Sequence, residues 1–128
     1  MSGENAVGRI GWIDLTTDDA PAIRDFCKAV VGWGSVDVDM EGYDDYMMTV
    51  PATGDAVSGI CHARGSNADL PPGWIIYIVV ADVAVSAARC AENGGKVVVT
   101  PRGLAGGLFC VIEDPSGAIA ALYQPEAQ

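Results

Sequence analysis

Hydrophobic and polar positions alternate along Arg9–Thr16. Ile10, Trp12, Asp14 and Thr16 fall on one face and Gly11, Ile13 and Leu15 on the other, the period of a strand. The period then lengthens. Ile23, Phe26, Cys27, Val30 and Val31 recur at three- and four-residue steps, which predicts a helix with one apolar stripe. Asp18 or Asp19 supplies its cap, Pro21 suits its first turn, and Gly32 and Gly34 end it. Three β signals follow. Ser35–Met40 alternates Val36, Val38 and Met40 with Ser35, Asp37 and Asp39; Tyr43–Val50 places Tyr46, Met48 and Val50 on one face; Gly54–Ala63 is the third. Glu41-Gly42 and Pro51–Asp55 supply the turns between them. The order is β-α-β-β-β.

Residues 64–73 are rich in Gly, Pro, Ser and Asn and read as a linker. The same order then returns. Trp74–Val80 is a strand, Asp82 caps a helix over Val83–Asn93 with Val83, Ser86, Ala87 and Cys90 on one side, and Gly94-Gly95 stops it. Lys96–Pro101, Leu108–Glu113 and Ala118–Gln124 are strands, the last two joined by the turn Asp114-Pro115-Ser116-Gly117. Gly103–Gly107 reads as a flexible hairpin loop between two strands, placed to form a rim. The Gly-Trp pairs that open the two halves lie 62 residues apart and the capping aspartates, Asp19 and Asp82, 63 apart. An internal duplication is the natural reading. The one-residue mismatch makes Ile75, not Trp74, the counterpart of Trp12, and turns Trp74 to the helix-facing side.

Length and composition narrow the class. The 128 residues suit one domain, with a first module at about 8–63, a linker at 64–73 and a second module at about 74–125. Half of the residues are hydrophobic, so the chain folds rather than staying disordered. Its apolar runs are too short to span a bilayer. The N-terminus shows no basic and apolar leader, so a cytoplasmic location is expected. A net charge of −10 repels nucleic acid and anionic membranes. Cys27, Cys61, Cys90 and Cys110 show no Cys-x-x-Cys spacing and read as small buried residues in a reducing compartment. No Walker-type loop, dinucleotide-binding Gly motif, nucleophile elbow or His-Glu-x-x-His is present.

The duplicated plan, the Asp-x3-Ile-x2-Phe helix closing on Gly32-Trp33, and Asp-Pro-Ser-Gly-Ala before the last strand resemble the vicinal oxygen chelate superfamily of glyoxalases, bleomycin-resistance proteins and extradiol dioxygenases. The resemblance covers residues of roughly 8–125. It implies an α+β fold of two tandem βαβββ modules, with curved mixed sheets enclosing a cavity and the helices outside. It also implies a homodimer, and a divalent metal held by inward His and Glu residues on the first and last strand of each module. Carried onto this chain, those positions hold Trp12, Ile75 and Ala121, with the fourth falling near Ile60–His62. Trp, Ile and Ala cannot bind a metal, so no metal and no cofactor is expected. His62, the sole histidine, is expected at the rim or surface.

Strand alternation gives the inward positions. Trp12, Asp14 and Thr16 come from the first strand, Tyr46 and Met48 from the third, Ile75 and Tyr77 from the fifth, Phe109 from the seventh, and Ala121 and Tyr123 from the eighth. Such an apolar and aromatic lining with few polar points is what small-molecule pockets offer. The expectation is a metal-independent binder of a small apolar or aromatic molecule, of bleomycin-resistance type, with no assigned catalytic residue. The alternatives are a glyoxalase- or dioxygenase-like enzyme with unusual metal ligands, metal-free acid/base catalysis by Asp14 with Tyr77 or His62, and a structural subunit with a filled interior.

Overall fold

The structure, a computed structural model, describes residues 6–126. Eight strands and two helices form in the expected order: β1 (Ile10–Thr17), α1 (Ala20–Val30), β2 (Gly34–Asp39), β3 (Asp44–Thr49), β4 (Ala56–His62), β5 (Gly73–Val79), α2 (Val83–Glu92), β6 (Lys96–Leu104), β7 (Gly107–Glu113) and β8 (Ile119–Gln124). The class is α+β. The chain divides into two compact units, one of Ile13–Trp74 and one of Ile75 onward together with the described residues up to Trp12. They are called here the first and second modules.

In the first module the strands run β2-β3-β4-β1, with β1 parallel to β4 and the other neighbours antiparallel. The Asp19 carboxylate accepts the amide of Ala22 and fixes where α1 starts. Gly32, at φ 86°, follows its last turn, a left-handed conformation that a Cβ disfavours. Ala20 and Cys27 of α1 pack on Tyr46, Met48 and Ile60, with Ile23 and Trp33 at the margin. The predicted apolar stripe is therefore only partly used: Phe26, Val30 and Val31 are exposed. The helix meets the sheet along Ala20, Ile23 and Cys27, a narrower line than the stripe, and Phe26, Val30 and Val31 turn outside it. Trp74 sets its ring edge-on to Trp33, with centroids 6.1 Å apart. The linker contains one 3₁₀ turn, Gly65–Asn67.

The second module repeats the plan. The strands run β5-β8-β7-β6, with β5 parallel to β8. Asp82 accepts the amides of Ala84 and Val85 and caps α2. Val83 and Ala87 of α2 pack on Cys110 and Leu122, flanked by Ile78, Val80, Val97 and Ile112. The duplication is legible in these cores, since Ala20 and Val83, the first buried residue of each helix, lie 63 residues apart in the chain.

Residues 103–107 form the hairpin link expected of them, with a loop shorter than that span. β6 continues to Leu104, which pairs with Gly107 across a two-residue turn. Ala105 and Gly106 both take positive φ, 49° and 82°, as a tight type I′ hairpin demands. A Cβ on Gly107 would strike the Gln124 carbonyl oxygen, so only glycine lets β7 start this close to β8.

Candidate functional site

Each module has a sheet face turned away from its helix. In the second, the register places Tyr77, Ala121, Val111 and Val99 in one row across four strands, and Val79, Tyr123, Phe109 and Arg102 in the next. The rings of Tyr77 and Phe109 lie 6.3 Å apart, and the Arg102 guanidinium stands 5.4 Å from the Phe109 ring centre. The Tyr123 hydroxyl donates to the Ala105 carbonyl at 3.3 Å, which ties the hairpin tip to β8. Ile75, Tyr77, Phe109, Ala121 and Tyr123 thus share a face as alternation predicts. All but the half-buried Tyr123 are buried. Trp12, in the same unit, is half-buried.

In the first module the face away from α1 carries Asp14 and Thr16, as expected, but not Tyr46 and Met48. Those two pack beneath α1, and their assignment to the inward face is corrected here. The physical reason is plain in hindsight. Tyr46 and Met48 are the large apolar pair on one face of β3, and a helix demands that face. The alternate residues, Asp45 and Met47, therefore turn the other way, a one-residue inversion of the whole strand.

What gathers there is polar and was not foreseen. The Cys61 thiol donates to the Asp14 carboxylate at 3.4 Å. Burial first, then the negative charges of Asp14 and Asp45, push the Cys61 thiol far above its ordinary range, so it stays protonated. The β3–β4 ladder ends at Tyr46↔Ile60. Beyond it the buried Asp45 carboxylate accepts the backbone amide of His62 at 2.8 Å and lies 3.1 Å from the same residue's Nδ1. The His62 side chain is 13 % exposed, so of the rim or surface position expected of it the open surface is ruled out. Tyr43 meets its ring edge-on at 5.2 Å, and Arg64 stacks over Tyr43 at 4.0 Å. The signal for Asp45 was in the sequence: a carboxylate in the middle of a strand needs a partner, and the one histidine is the terminal residue of the neighbouring strand.

The metal positions can now be tested against the residues present. Asp14 is registered with Gly59 just as Tyr77 is with Ala121. The first-module counterpart of Ala121 is therefore Gly59, one residue before the expected 60–62 window. Trp12, Gly59, Ile75 and Ala121 offer no metal-donating side chain. Asp14 and Cys61, in contact with each other, are two in number, and the thiol keeps its proton. Among the described residues no three His, Cys, Asp or Glu side chains are grouped so as to hold a metal. The residues do not fit the metal that the fold resemblance implies.

Among the described residues no helix is long and apolar enough to cross a membrane. The family model of the Glyoxalase/Bleomycin resistance protein/Dioxygenase superfamily matches residues 9–121. A relative from Mycobacterium tuberculosis, named "Putative glyoxylase CFP32", is 32% identical over 125 residues, covering 97% of this chain and 47% of its own length. The anthracycline biosynthesis protein DnrV of Streptomyces peucetius is 30% identical over 111 residues, covering 87% of this chain and 39% of its own. The chain thus spans about half the length, or less, of these curated relatives. A Streptomyces coelicolor methylmalonyl-CoA epimerase variant in complex with 2-nitronate-propionyl-CoA superimposes with a TM-score of 0.57 at 23% identity, covering 95% of this chain and 100% of that one. That likeness is one of fold.

Proposed function

The chain belongs to the glyoxalase/bleomycin resistance protein/dioxygenase superfamily, and we propose that within it this chain is a metal-independent binder of a small apolar or aromatic molecule. One observation carries the reading. The positions where the superfamily resemblance puts metal ligands hold Trp12, Ile75 and Ala121, with Gly59 the register counterpart of Ala121, and the partly exposed residues on the faces away from the helices include Tyr123, Val36 and Met47. Faces of this kind gain affinity by removing apolar surface from water and by stacking, with a few polar groups fixing orientation. The names of the relatives and of the fold neighbour concern glyoxylase activity, anthracycline biosynthesis and an acyl-CoA. They support a small organic ligand as the object of recognition without choosing one.

The test is a screen of aromatic compounds by thermal shift and by quenching of Trp12, Trp33 and Trp74 fluorescence. Saturable binding that persists in a chelator is expected. A stoichiometric transition metal in the purified protein, or binding that chelator abolishes, would overturn the reading.

A second reading has one specific observation behind it. The Asp45 carboxylate lies 3.1 Å from His62 Nδ1, an arrangement suited to orienting an imidazole for general acid/base work. Proton exchange of methylmalonyl-CoA in deuterated water, insensitive to chelator and lost in His62→Gln, would support it. An unchanged rate in that variant would remove His62 from consideration.

A further inference from the structure

His62 has two tyrosines beside it, and each tyrosine carries an arginine. The Tyr46 ring lies 6.4 Å from the imidazole, with the Arg24 guanidinium 4.5 Å from that ring's centre. Tyr43 lies 5.2 Å from the imidazole, with Arg64 at 4.0 Å. The two arginines differ in what they have left to give. Arg24 is spent on Asp25 at 2.9 Å. Arg64 is exposed and pairs with no carboxylate among the described residues. Stacked by its face, it keeps the N–H edge of its planar fork open. The imidazole is divided in the same way. Nδ1 faces Asp45, whereas Nε2 bonds to none of the described residues and is not among their buried, unpaired atoms, so water reaches it. The backbone fixes this setting. Ala63 donates to the Thr17 carbonyl, Arg64 to the His62 carbonyl and Asn67 to the Arg64 carbonyl. Gly65, at φ 57°, passes so near Tyr43 that an added Cβ would stand 3.4 Å from its hydroxyl oxygen. A forked cation and a ring nitrogen, both unspent, are thus held together where β4 ends.

We propose, resting on the second reading above, that Arg64 and His62 are the two ends of a site for a small carbon acid bearing a carboxylate: Arg64 forks the carboxylate, and His62 Nε2 takes the hydrogen from the carbon next to it. The spacing suits such a molecule. The ring separations place the guanidinium carbon within about 9 Å of the imidazole centre. A forked carboxylate carbon stands about 4 Å from its guanidinium carbon, and a carbon losing its proton about 3–3.5 Å from its base. One carbon–carbon bond between those two contacts fills the remaining distance. The step balances without any other reactant. The electron pair of the broken C–H bond stays on the substrate, spread into a neighbouring ester or thioester carbonyl as an enolate, and the proton passes to Nε2. The imidazolium so formed faces the Asp45 carboxylate, and return of its proton restores the acid. The net charge of −10 opposes every anion, so the anchor has to be local. Asp45 is engaged with the His62 amide and ring, and physiological salt damps the more distant carboxylates while leaving a direct contact at Arg64 in place.

The experiment compares two probes of one shape: the monomethyl ester of phenylmalonate, which has the carboxylate, and dimethyl phenylmalonate, which lacks it. Affinities are measured by titration calorimetry with the full chain at about 0.15 M salt. Loss of the α-hydrogen into deuterated water is followed by proton NMR against the protein-free rate. The half-ester is expected to bind about tenfold tighter than the diester. Arg64→Gln should erase that preference and raise KM for exchange more than it lowers kcat. Arg64→Lys, which keeps the charge but not the fork, should recover only part of it. His62→Gln should abolish protein-dependent exchange and leave the half-ester's preference in place. Arg89→Gln, on the exposed surface of α2, should change neither. Melting temperatures establish that each variant is folded. Equal affinity for the two probes, a preference that survives Arg64→Gln, or no half-ester binding at millimolar concentration overturns the site. Exchange lost in His62→Gln with no effect of Arg64→Gln overturns the anchor and leaves the second reading standing. Exchange that persists in His62→Gln overturns the second reading and the proton transfer with it, even where the Arg64-dependent preference holds.

Discussion

The two modules share one plan and use it for opposite ends. The row Asp14–Gly59–Met47–Val36 in the first and the row Tyr77–Ala121–Val111–Val99 in the second stand in the same register on corresponding strands. In the second module every member of the row is buried; in the first, the outer two are exposed and the inner end is a carboxylate. Two residues back along the third strand, Phe109 in the second module answers to Asp45 in the first. A ring packed on Tyr77 has as its counterpart an acid gripping His62. The cores beneath the helices, by contrast, are alike: Ile60 answers to Leu122, Ala20 to Val83. Duplication leaves two equivalent faces, and burying one of them as hydrophobic core frees the other to carry charge and exposed apolar surface. The difference locates stability in the second module's face and leaves the outer strands of the first's open to solvent.

The most direct way to break that contrast is to truncate both faces. Phe109→Ala, which removes a buried ring from between Tyr77 and Arg102, should cost about 3–5 kcal/mol in urea unfolding. Met47→Ala on the matching strand should cost under about 1 kcal/mol, because its side chain is already in contact with water. Comparable losses at the two sites would mean that both faces are core, and the division of labour would be wrong.

Next in size is Asp45→Ala. The substitution leaves a partly buried imidazole and the His62 amide without their acceptor, and about 2–3 kcal/mol of stability should go with it. Asp45→Asn, which can still accept the amide, should lose clearly less. If the two variants are equally stable, the carboxylate holds neither group and the first module's polar face is decoration.

Most of the fold was legible in the sequence and much of the site was not, for one physical reason. Helix caps, glycine stops and the alternation on β1, β5 and β8 are local signals, and Asp19, Asp82, Ile75, Tyr77, Ala121 and Tyr123 stand where those signals put them. Which face of β3 meets α1 depends on a tertiary competition. Tyr46 and Met48 were read as pocket residues because aromatic and thioether side chains suit pockets, but they suit helix packing equally, and burial beneath α1 decides. That inversion alone hid Asp45, Met47 and the Cys61 environment. The helix stripe failed similarly: Phe26, Val30 and Val31 have the right spacing, yet the sheet beneath α1 engages only Ala20, Ile23 and Cys27.

The thiols sharpen the contrast on the pH axis. Burial raises Cys110 in the second module to about 11. In the first, carboxylate charge adds to burial and drives Cys61 higher still. A thiol whose folded pKa is raised binds its proton where the unfolded chain has lost it. Its stabilising contribution is present below about pH 8.5 and is lost as pH climbs toward the folded value. Stability should therefore fall between about pH 9 and 11, by up to about 1.4 kcal/mol per pH unit for each such thiol. Cys110→Ala and Cys61→Ala should each flatten the slope. Asp14→Asn should flatten only part of the Cys61 share, because burial is the larger cause, and alkylation at pH 8 should spare Cys61. An alkaline limb unaffected by either cysteine substitution would remove the thiols from the account.

The smallest predicted effect asks whether the helix-facing cores are as alike as they look. β4 places Ser58 two residues before Ile60, as β8 places Ala120 two residues before Leu122. Ser58 is buried, pairs across the sheet with Met48, and its hydroxyl has no hydrogen-bond partner among the described residues. A buried hydroxyl left unpaired keeps its desolvation penalty with nothing to offset it. Ser58→Ala adopts the second module's solution, removes one polar atom and opens little space, so it should raise stability by about 1 kcal/mol and the melting temperature by a few degrees. The paired change Ala120→Ser should be neutral or destabilising. A loss of stability in Ser58→Ala would show that the hydroxyl is satisfied by a water.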